Sequence, residues 1–355
     1  MKKILFAQLV IVVLFACQLK GQETVTDSSH AVIDTLFNDF GLFASETVLR
    51  LSLRFDIGEY MRKKPKEEYL KALLTYHINE NDSINKEIKL RSRGISRNDI
   101  CNFPPVMLNF RKEDLETENQ RKFEKIKMVT HCNAGNEEYL FREYLIYKLY
   151  NALTDLSFRV RLVSVDYIST VKSGKIIRTY AFLIEPLNML TERKKIFEVE
   201  NPKLSQKFVD PEIMDRVSIF NYMIGNTDWA VPGQHNIVVV TNPNNPNTNL
   251  GAVIPYDFDY SGLVNAHYAL PAEPLGLKSV RERRYLGACR GDEIFRERLK
   301  QFAEKKSEFY RIINEFQYLS EKERSRMTGY LDEFFNELEK GFLIGSLKRQ
   351  CMEGL

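Results

Sequence analysis

Three polar residues stand in an order that could move a phosphoryl group. Asp228 lies in Gly-Asn-Thr-Asp-Trp (225–229), Asn236 follows His235, and Asp257 opens the triplet Asp257-Phe258-Asp259. An acidic side chain in a loop can accept a hydrogen bond from an attacking hydroxyl and point it at phosphorus. An Asn amide oxygen is a hard, neutral ligand, and alternate residues of an extended chain face the same way. Asn236, Asp257 and Asp259 could therefore share one divalent cation. Two carboxylates that close repel unless a cation lies between them. Against this stands a plainer reading, in which Gly-Asn-Thr-Asp is good turn and cap chemistry and His235 only orients its loop.

Those residues need a scaffold. The helix over Asp210 to Met223 delivers the first motif. The apolar run Ile237 to Val240 and Ala252-Val253-Ile254 form two short strands around the Asn/Pro-rich turn 242–247, and the Asp-x-Asp triplet comes directly after the second strand. Upstream, Val48 to Phe55 alternates apolar and polar, and Glu87 to Arg91, Val106 to Phe110 and Lys125 to Val129 are further strands. Lys66 to Tyr76 reads as a helix. Glu137 to Leu153 is a clear helix with Phe141, Leu145 and Leu149 on one stripe. Phe158 to Val165 and Thr179 to Ile184 return to strand character. From Gly291 onward the chain is charged, amphipathic helix. A β-rich first half and a helical second half suggest two lobes of an α+β enzyme, divided near Glu185–Met189.

The β-rich half carries cations for a phosphate. Lys127 lies in an alternating strand, and Glu143 on the next helix has Tyr139, Leu140, Ile146 and Tyr147 around it. A carboxylate in apolar company needs a partner, and Lys127 is one choice. Lys125 could replace Lys127, and Glu137, Glu138 or Glu185 could replace Glu143. Arg91-Ser-Arg-Gly-Ile-Ser-Arg97 places three arginines around one glycine, a pattern suited either to bidentate phosphate contacts or to a solvated basic turn. No Gly-x-Gly-x-x-Gly or Walker loop occurs.

In these residues the chain resembles the spore-coat H (CotH) family of atypical protein kinases, from about Val48 to Gly262. The resemblance is carried by Arg-Gly-Ile-Ser-Arg at 93–97, the strand and helix of 125–153, Tyr180-Ala-Phe-Leu-Ile-Glu185, the Asn-x-Asp of 226–228, Asn236, and Ile254-Pro-Tyr-Asp-Phe-Asp259. It implies a two-lobed, protein-kinase-like fold with a β-rich N-lobe (23–185) and a mainly helical C-lobe (186–355). It implies Asp228 as the catalytic aspartate, with Asn236, Asp257 and Asp259 on Mg²⁺ or Mn²⁺. Lys127, Glu143, Arg93 and Arg97 would serve the phosphates of ATP, with Ile184 and Glu185 at a hinge against the adenine. The implied acceptor is a Ser or Thr hydroxyl of an extracytoplasmic protein. Tyr256 stands where the family has Trp, and Pro104-Pro105 where it has Pro-Lys. The competing expectations are an inactive surface or coat binding module and a metal-dependent hydrolase.

The ends and totals bound the rest. Lys2-Lys3 and the apolar stretch Ile4 to Ala16 read as a signal peptide (1–22), too short for an ordinary membrane span. Leu14-Phe15-Ala16-Cys17 also reads as a lipoprotein box, so the expected location is periplasm, cell surface or medium, with a lipid anchor at Cys17 as the variant. A net charge of +3 from 51 basic and 48 acidic residues gives no reason to expect nucleic acid. Cys101, Cys132, Cys289 and Cys351 match no metal-finger spacing; in an oxidising compartment Cys101–Cys132 is the first disulfide to expect, and buried free thiols are the alternative.

Overall fold

A computed structural model describes residues 41–110, 124–172, 174–201, 203–244 and 248–352. The signal peptide and the Cys17 lipobox lie outside the described residues. After a single helical turn, α1 (Gly41–Ala44), seven strands build the first half: β1 (Leu49–Phe55), β2 (Leu70–His77), β3 (Ser83–Ser92), β4 (Val106–Phe110), β5 (Lys125–Val129), β6 (Val160–Ser169) and β7 (Ile176–Ile184). Among the described residues three helices interrupt them, α2 (Ile57–Lys63), α3 (Ser96–Ile100) and α4 (Glu137–Leu153).

The strands close on themselves in the order β1-β2-β3-β4-β5-β7-β6. Closure comes from β6, which pairs antiparallel with β7 on one side and parallel with β1 on the other, from Leu49↔Val163 to Phe55↔Ser169. This overturns the two-lobed, kinase-like expectation, which requires an open sheet in its β-rich lobe. The physical reason lies in alternation. Leu49, Leu51, Leu53 and Phe55 put one face inward, and Val163, Val165 and Tyr167 across the seam are equally buried. An unpaired β1 edge would expose that row and its backbone groups, and closure removes both costs. Tyr60, Phe103 and Tyr167 fill the interior near one end, with Phe103 and Tyr167 ring centroids 4.4 Å apart.

The helix expected over Lys66 to Tyr76 is instead β2, paired in register with both β1 and β3. Its Ala72 and Leu74 are buried, on the same period of two as Leu70 and Tyr76. Pairing on both edges outweighs the weak helix preference of Lys, Glu and Leu. The helix α4, by contrast, spans the expected residues and is buried almost all round. Leu140, Phe141, Leu145 and Leu149 are in the core, as are Arg142, Glu143 and Tyr147.

Beyond β7 the chain becomes helical, with α5 (Leu187–Lys194), α6 (Pro211–Ile224), α7 (Asp292–Asn314), α8 (Glu321–Glu339) and α9 (Leu343–Gln350); one hairpin, β8 (Ile237–Thr241) and β9 (Gly251–Pro255), interrupts them. These elements share one apolar core with α4, β6 and β7, while the barrel interior is a second cluster. Two disulfides form, Cys101–Cys132 and Cys289–Cys351. The second ties the end of α9 to the segment before α7. Among the described residues no helix is long and apolar enough to cross a membrane.

Candidate functional site

The helix α6 starts and stops where its sequence dictates. Asp210 caps it by accepting from the amides of Glu212 and Ile213, Pro211 takes the first position, and Gly225 ends it at φ 67°. The chain then turns on Asn226, whose Oδ1 accepts from the Asp228 amide (3.1 Å) and whose Nδ2 donates to Asn221 Oδ1 (2.9 Å). The Asx-turn reading of this segment is therefore correct, and the turn is what holds Asp228 out of the core. The hairpin brings the other two residues together. Ile237 pairs with Pro255, and one step further out the Tyr256 amide donates to Asn236 O (3.0 Å). Asn236 thus lies beside the Tyr256–Asp257 link.

Asn236 also reaches back. Its Nδ2 donates to Asp228 O (2.8 Å) and Asp228 Oδ2 (2.9 Å), and His235 Nε2 lies 2.7 Å from Asp228 Oδ1. Because the amide nitrogen is committed to Asp228, the Asn236 carbonyl oxygen is the atom left for a cation. Asn236 (φ 51°) and Asp257 (φ 62°) both occupy the left-handed region, each costing about 1 kcal/mol relative to ordinary backbone. Asn and Asp tolerate it best among residues with a side chain.

The helix α4 grips the Asp257–Asp259 segment at two points one turn apart. The Asp257 amide donates to Tyr147 Oη (2.9 Å). One turn earlier, Glu143 Oε2 accepts from Arg97 Nη2 (2.6 Å), and Arg97 Nε donates to Asp259 Oδ2 (2.8 Å). Tyr268 completes the knot: its hydroxyl donates to Asp259 Oδ2 (3.1 Å) and accepts from Arg97 Nε and Nη2, each at 3.1 Å. Arg97, Glu143 and Asp259 are all buried, and Glu143 Oε1 has no hydrogen-bond partner among the described residues.

Charge in this buried cluster is finely poised. Burial pushes Glu143 up to about 8, with Arg97 opposing and Asp259 and Asp257 adding. Burial likewise raises Asp259 to about 6 against the pull of Arg97. Burial works to lower Arg97, but Asp259, then Glu143, outweigh it and hold the guanidinium charged. Lys127 stands nearby, its ammonium 5.1 Å from the Tyr256 ring centroid. Burial first, then the charge of Arg93, lower it to about 8 against the opposing pull of Asp257 and Glu198. Lys127 therefore stands in the fields of both Arg93 and Asp257.

The expected residues thus sort into three groups. Asp228, Asn236 and Asp257 come together, with Lys127 and Arg93 within reach of the same charges. The pairing of Lys127 with Glu143 does not form, because Glu143 is taken by Arg97. Arg97 in turn is buried on two carboxylates, where it has no freedom to clamp a phosphate. Ile184 pairs with Lys127 and Val160 inside the sheet. Glu185 is clamped by two arginines: Oε1 accepts from Arg159 Nε (2.9 Å) and Nη2 (2.7 Å) and from Arg193 Nε (3.1 Å), and Oε2 from Arg193 Nη2 (2.9 Å) and the Arg159 amide (3.0 Å). Its carboxylate is structural and has no capacity left for an adenine.

Sequence reasoning missed Tyr147 and Tyr268. The first was visible only as an apolar neighbour four residues from Glu143, and the second sits in no motif. A usable signal was the buried Glu143 itself, whose need for a cation implied that one of the nearby arginines must come to it.

Does this donor set fit Mg²⁺ or Mn²⁺? The available atoms are hard oxygens: Asn236 Oδ1, the Asp257 carboxylate, and Asp259 Oδ1. Such ions are held through one or two carboxylates plus substrate phosphates rather than by an all-protein cage. Among the described residues no group of three or more His, Cys, Asp or Glu stands ready for a metal. The donor chemistry fits a metal that arrives with a polyphosphate. Compared with known proteins, the chain matches no family model and no curated protein.

Proposed function

We propose that this chain carries out divalent-metal-dependent phosphoryl transfer from ATP to a Ser or Thr hydroxyl of an extracytoplasmic protein. The observation that carries the reading is the junction of Asn236 with Asp228 on one side and with the Tyr256–Asp257 turn on the other, beside the cations Lys127 and Arg93. Asn236 Oδ1, Asp257 and the free oxygen of Asp259 would hold Mg²⁺ or Mn²⁺ on the phosphates, and the ion would neutralise charge on the transferred group. Lys127 and Arg93 would add positive charge to the same phosphates. Asp228 orients the acceptor hydroxyl and takes its proton as the oxygen–phosphorus bond forms and the bond to the leaving diphosphate breaks. His235 fixes Asp228 from the far side.

Two disulfides among the described residues support an oxidising compartment, in line with export. ATP with Mn²⁺ should raise the melting temperature. Asp257→Gly, which keeps the left-handed backbone, should abolish that rise. The parent should transfer label from γ-labelled ATP to itself or to an exported acceptor, and Asp228→Ala should not. Absence of any thermal shift with either metal would remove the reading.

A second reading, a binding module without turnover, is favoured by one feature. Both oxygens of Asp228 are already engaged, Oδ1 by His235 and Oδ2 by Asn236. A thermal shift without label transfer would select it.

A further inference from the structure

Arg97 reaches the two carboxylates from α3, a five-residue helix with no side-chain hydrogen bond at its N-cap. Isolated helices of this length do not hold themselves together. The segment on the C-terminal side of α3 is heavily tied. The last turn closes on Cys101, whose amide donates to Arg97 O (3.0 Å), and Cys101 is bonded to Cys132. Cys132 lies between β5, which carries Lys127, and α4, which carries Glu143 and Tyr147. Three hydrogen bonds continue the seam: the Phe103 amide to Cys132 O (2.9 Å), Thr130 Oγ1 to Phe103 O (2.8 Å), and the Asn102 amide to Asn133 Oδ1 (3.0 Å). All of these lie beyond α3, so Cys101–Cys132 is the covalent tie at the helix's own end. Cys132 also sits at φ 65°, a conformation that a side chain seldom adopts unless its surroundings impose it.

The consequence falls on Asp259. Arg97 Nε and Tyr268 Oη both occupy Oδ2, which leaves Oδ1 for another ligand. If Arg97 withdrew, Oδ2 would keep only the Tyr268 hydroxyl, and a carboxylate held by one hydrogen bond would no longer be fixed with Oδ1 outward. Tyr268 would lose its acceptor role at the same time, because its hydroxyl touches Arg97 and Asp259 together.

We propose that the Cys101–Cys132 disulfide is a positioning element of the candidate site, holding Arg97 on Glu143 and Asp259 so that a single Asp259 oxygen is presented. The phosphoryl-transfer reading enters only in what that oxygen would bind. Arg97 is a positioning residue here, acting through Asp259.

The test places 3-fluorotyrosine at position 268 and reads its ¹⁹F resonance in metal-free protein, alongside Mn²⁺ affinity by electron paramagnetic resonance. Cys101→Ser/Cys132→Ser should move the resonance in the same direction as Arg97→Gln and weaken Mn²⁺ binding at least tenfold. Combining the changes should do no more than Arg97→Gln alone, because coupled residues are not additive. Cys289→Ser/Cys351→Ser should leave both readouts in place. Should the first double variant not fold, Cys101→Ala/Cys132→Gly replaces it, with glycine accepting the positive φ. Unchanged resonance and affinity on loss of Cys101–Cys132, or effects that add in full to those of Arg97→Gln, would overturn the proposal. A parent that binds no Mn²⁺ counts against phosphoryl transfer, while the fluorine cycle alone then decides the positioning role.

Discussion

Two glutamates with fully shielded side chains are handled in opposite ways. Glu185, just past the end of β7, accepts five hydrogen bonds from Arg159 and Arg193, which saturate both oxygens. Glu143, on α4, shares a single guanidinium with Asp259 and keeps one oxygen bare. The first arrangement has one stable state. The second sets two acids on one guanidinium, and burial raises Glu143 to about 8, so a proton on Glu143 balances it at neutral pH. Glu185 is saturated by its partners, and Glu143 is not.

That contrast can be broken by substitution. Glu185→Ala strands two largely buried arginines and should lower stability by about 3–5 kcal/mol in urea unfolding, with little left of the native fold at physiological temperature. Loss of the Cys289–Cys351 link frees a long loop in the unfolded chain and should cost about 3 kcal/mol in the same assay, without touching Mn²⁺ affinity. Lys127 gives a signed test. Its value is lowered from 10.5 to about 8, so the native state holds fewer protons than the unfolded state between those limits. Stability of the parent relative to Lys127→Met should therefore climb as pH rises through that window, by on the order of 2 kcal/mol, and fall again as pH drops to 8.

Glu143 has the reverse sign. Its value is raised from 4.5 to about 8, so its contribution is fully present below 4.5 and is lost as pH rises to 8. Glu143→Gln mimics the protonated acid, should remove that slope, and should cost less than about 1 kcal/mol at neutral pH. A loss as large as that of Glu185→Ala would erase the distinction between the two sites. The smallest effect is expected at the exposed Lys63–Glu59 pair, where Lys63→Ala should change stability by about 0.3 kcal/mol.

Much of the scaffold was legible because its signals are local. The strands β4 and β5 and the helix α4 lie where alternation and helical spacing put them. Asp228, Asn236 and Asp257 were legible through their order around one hairpin. The seam between β1 and β6 was not, because it joins residues more than a hundred positions apart, and nothing in either strand names its partner. The misreading of β2 has a local cause: Leu73 beside Leu74 blurs the alternation, and the surrounding Lys and Glu favour helix in isolation. The pairing of Arg97 with Glu143 and Asp259 was hidden for a related reason. Charge demand can be read from a buried acid, but which cation meets it is decided by how α3 is anchored.

Behind the site, two glycines press on one tyrosine. A Cβ added to Gly225, the residue that ends α6, would lie 2.0 Å from the Tyr330 hydroxyl, and one added to Gly262, three residues past Asp259, would lie 2.5 Å from the same oxygen. The two loops that bear Asp228 and Asp259 are thus moulded over a single side chain of α8, joined there by the Gly262 amide donating to Gly225 O. The charged helical tail thus packs directly behind the candidate site. A bulky residue at either glycine would jam that joint and shift both acids at once, so Gly225→Ala would act as a site variant although it carries no chemistry of its own.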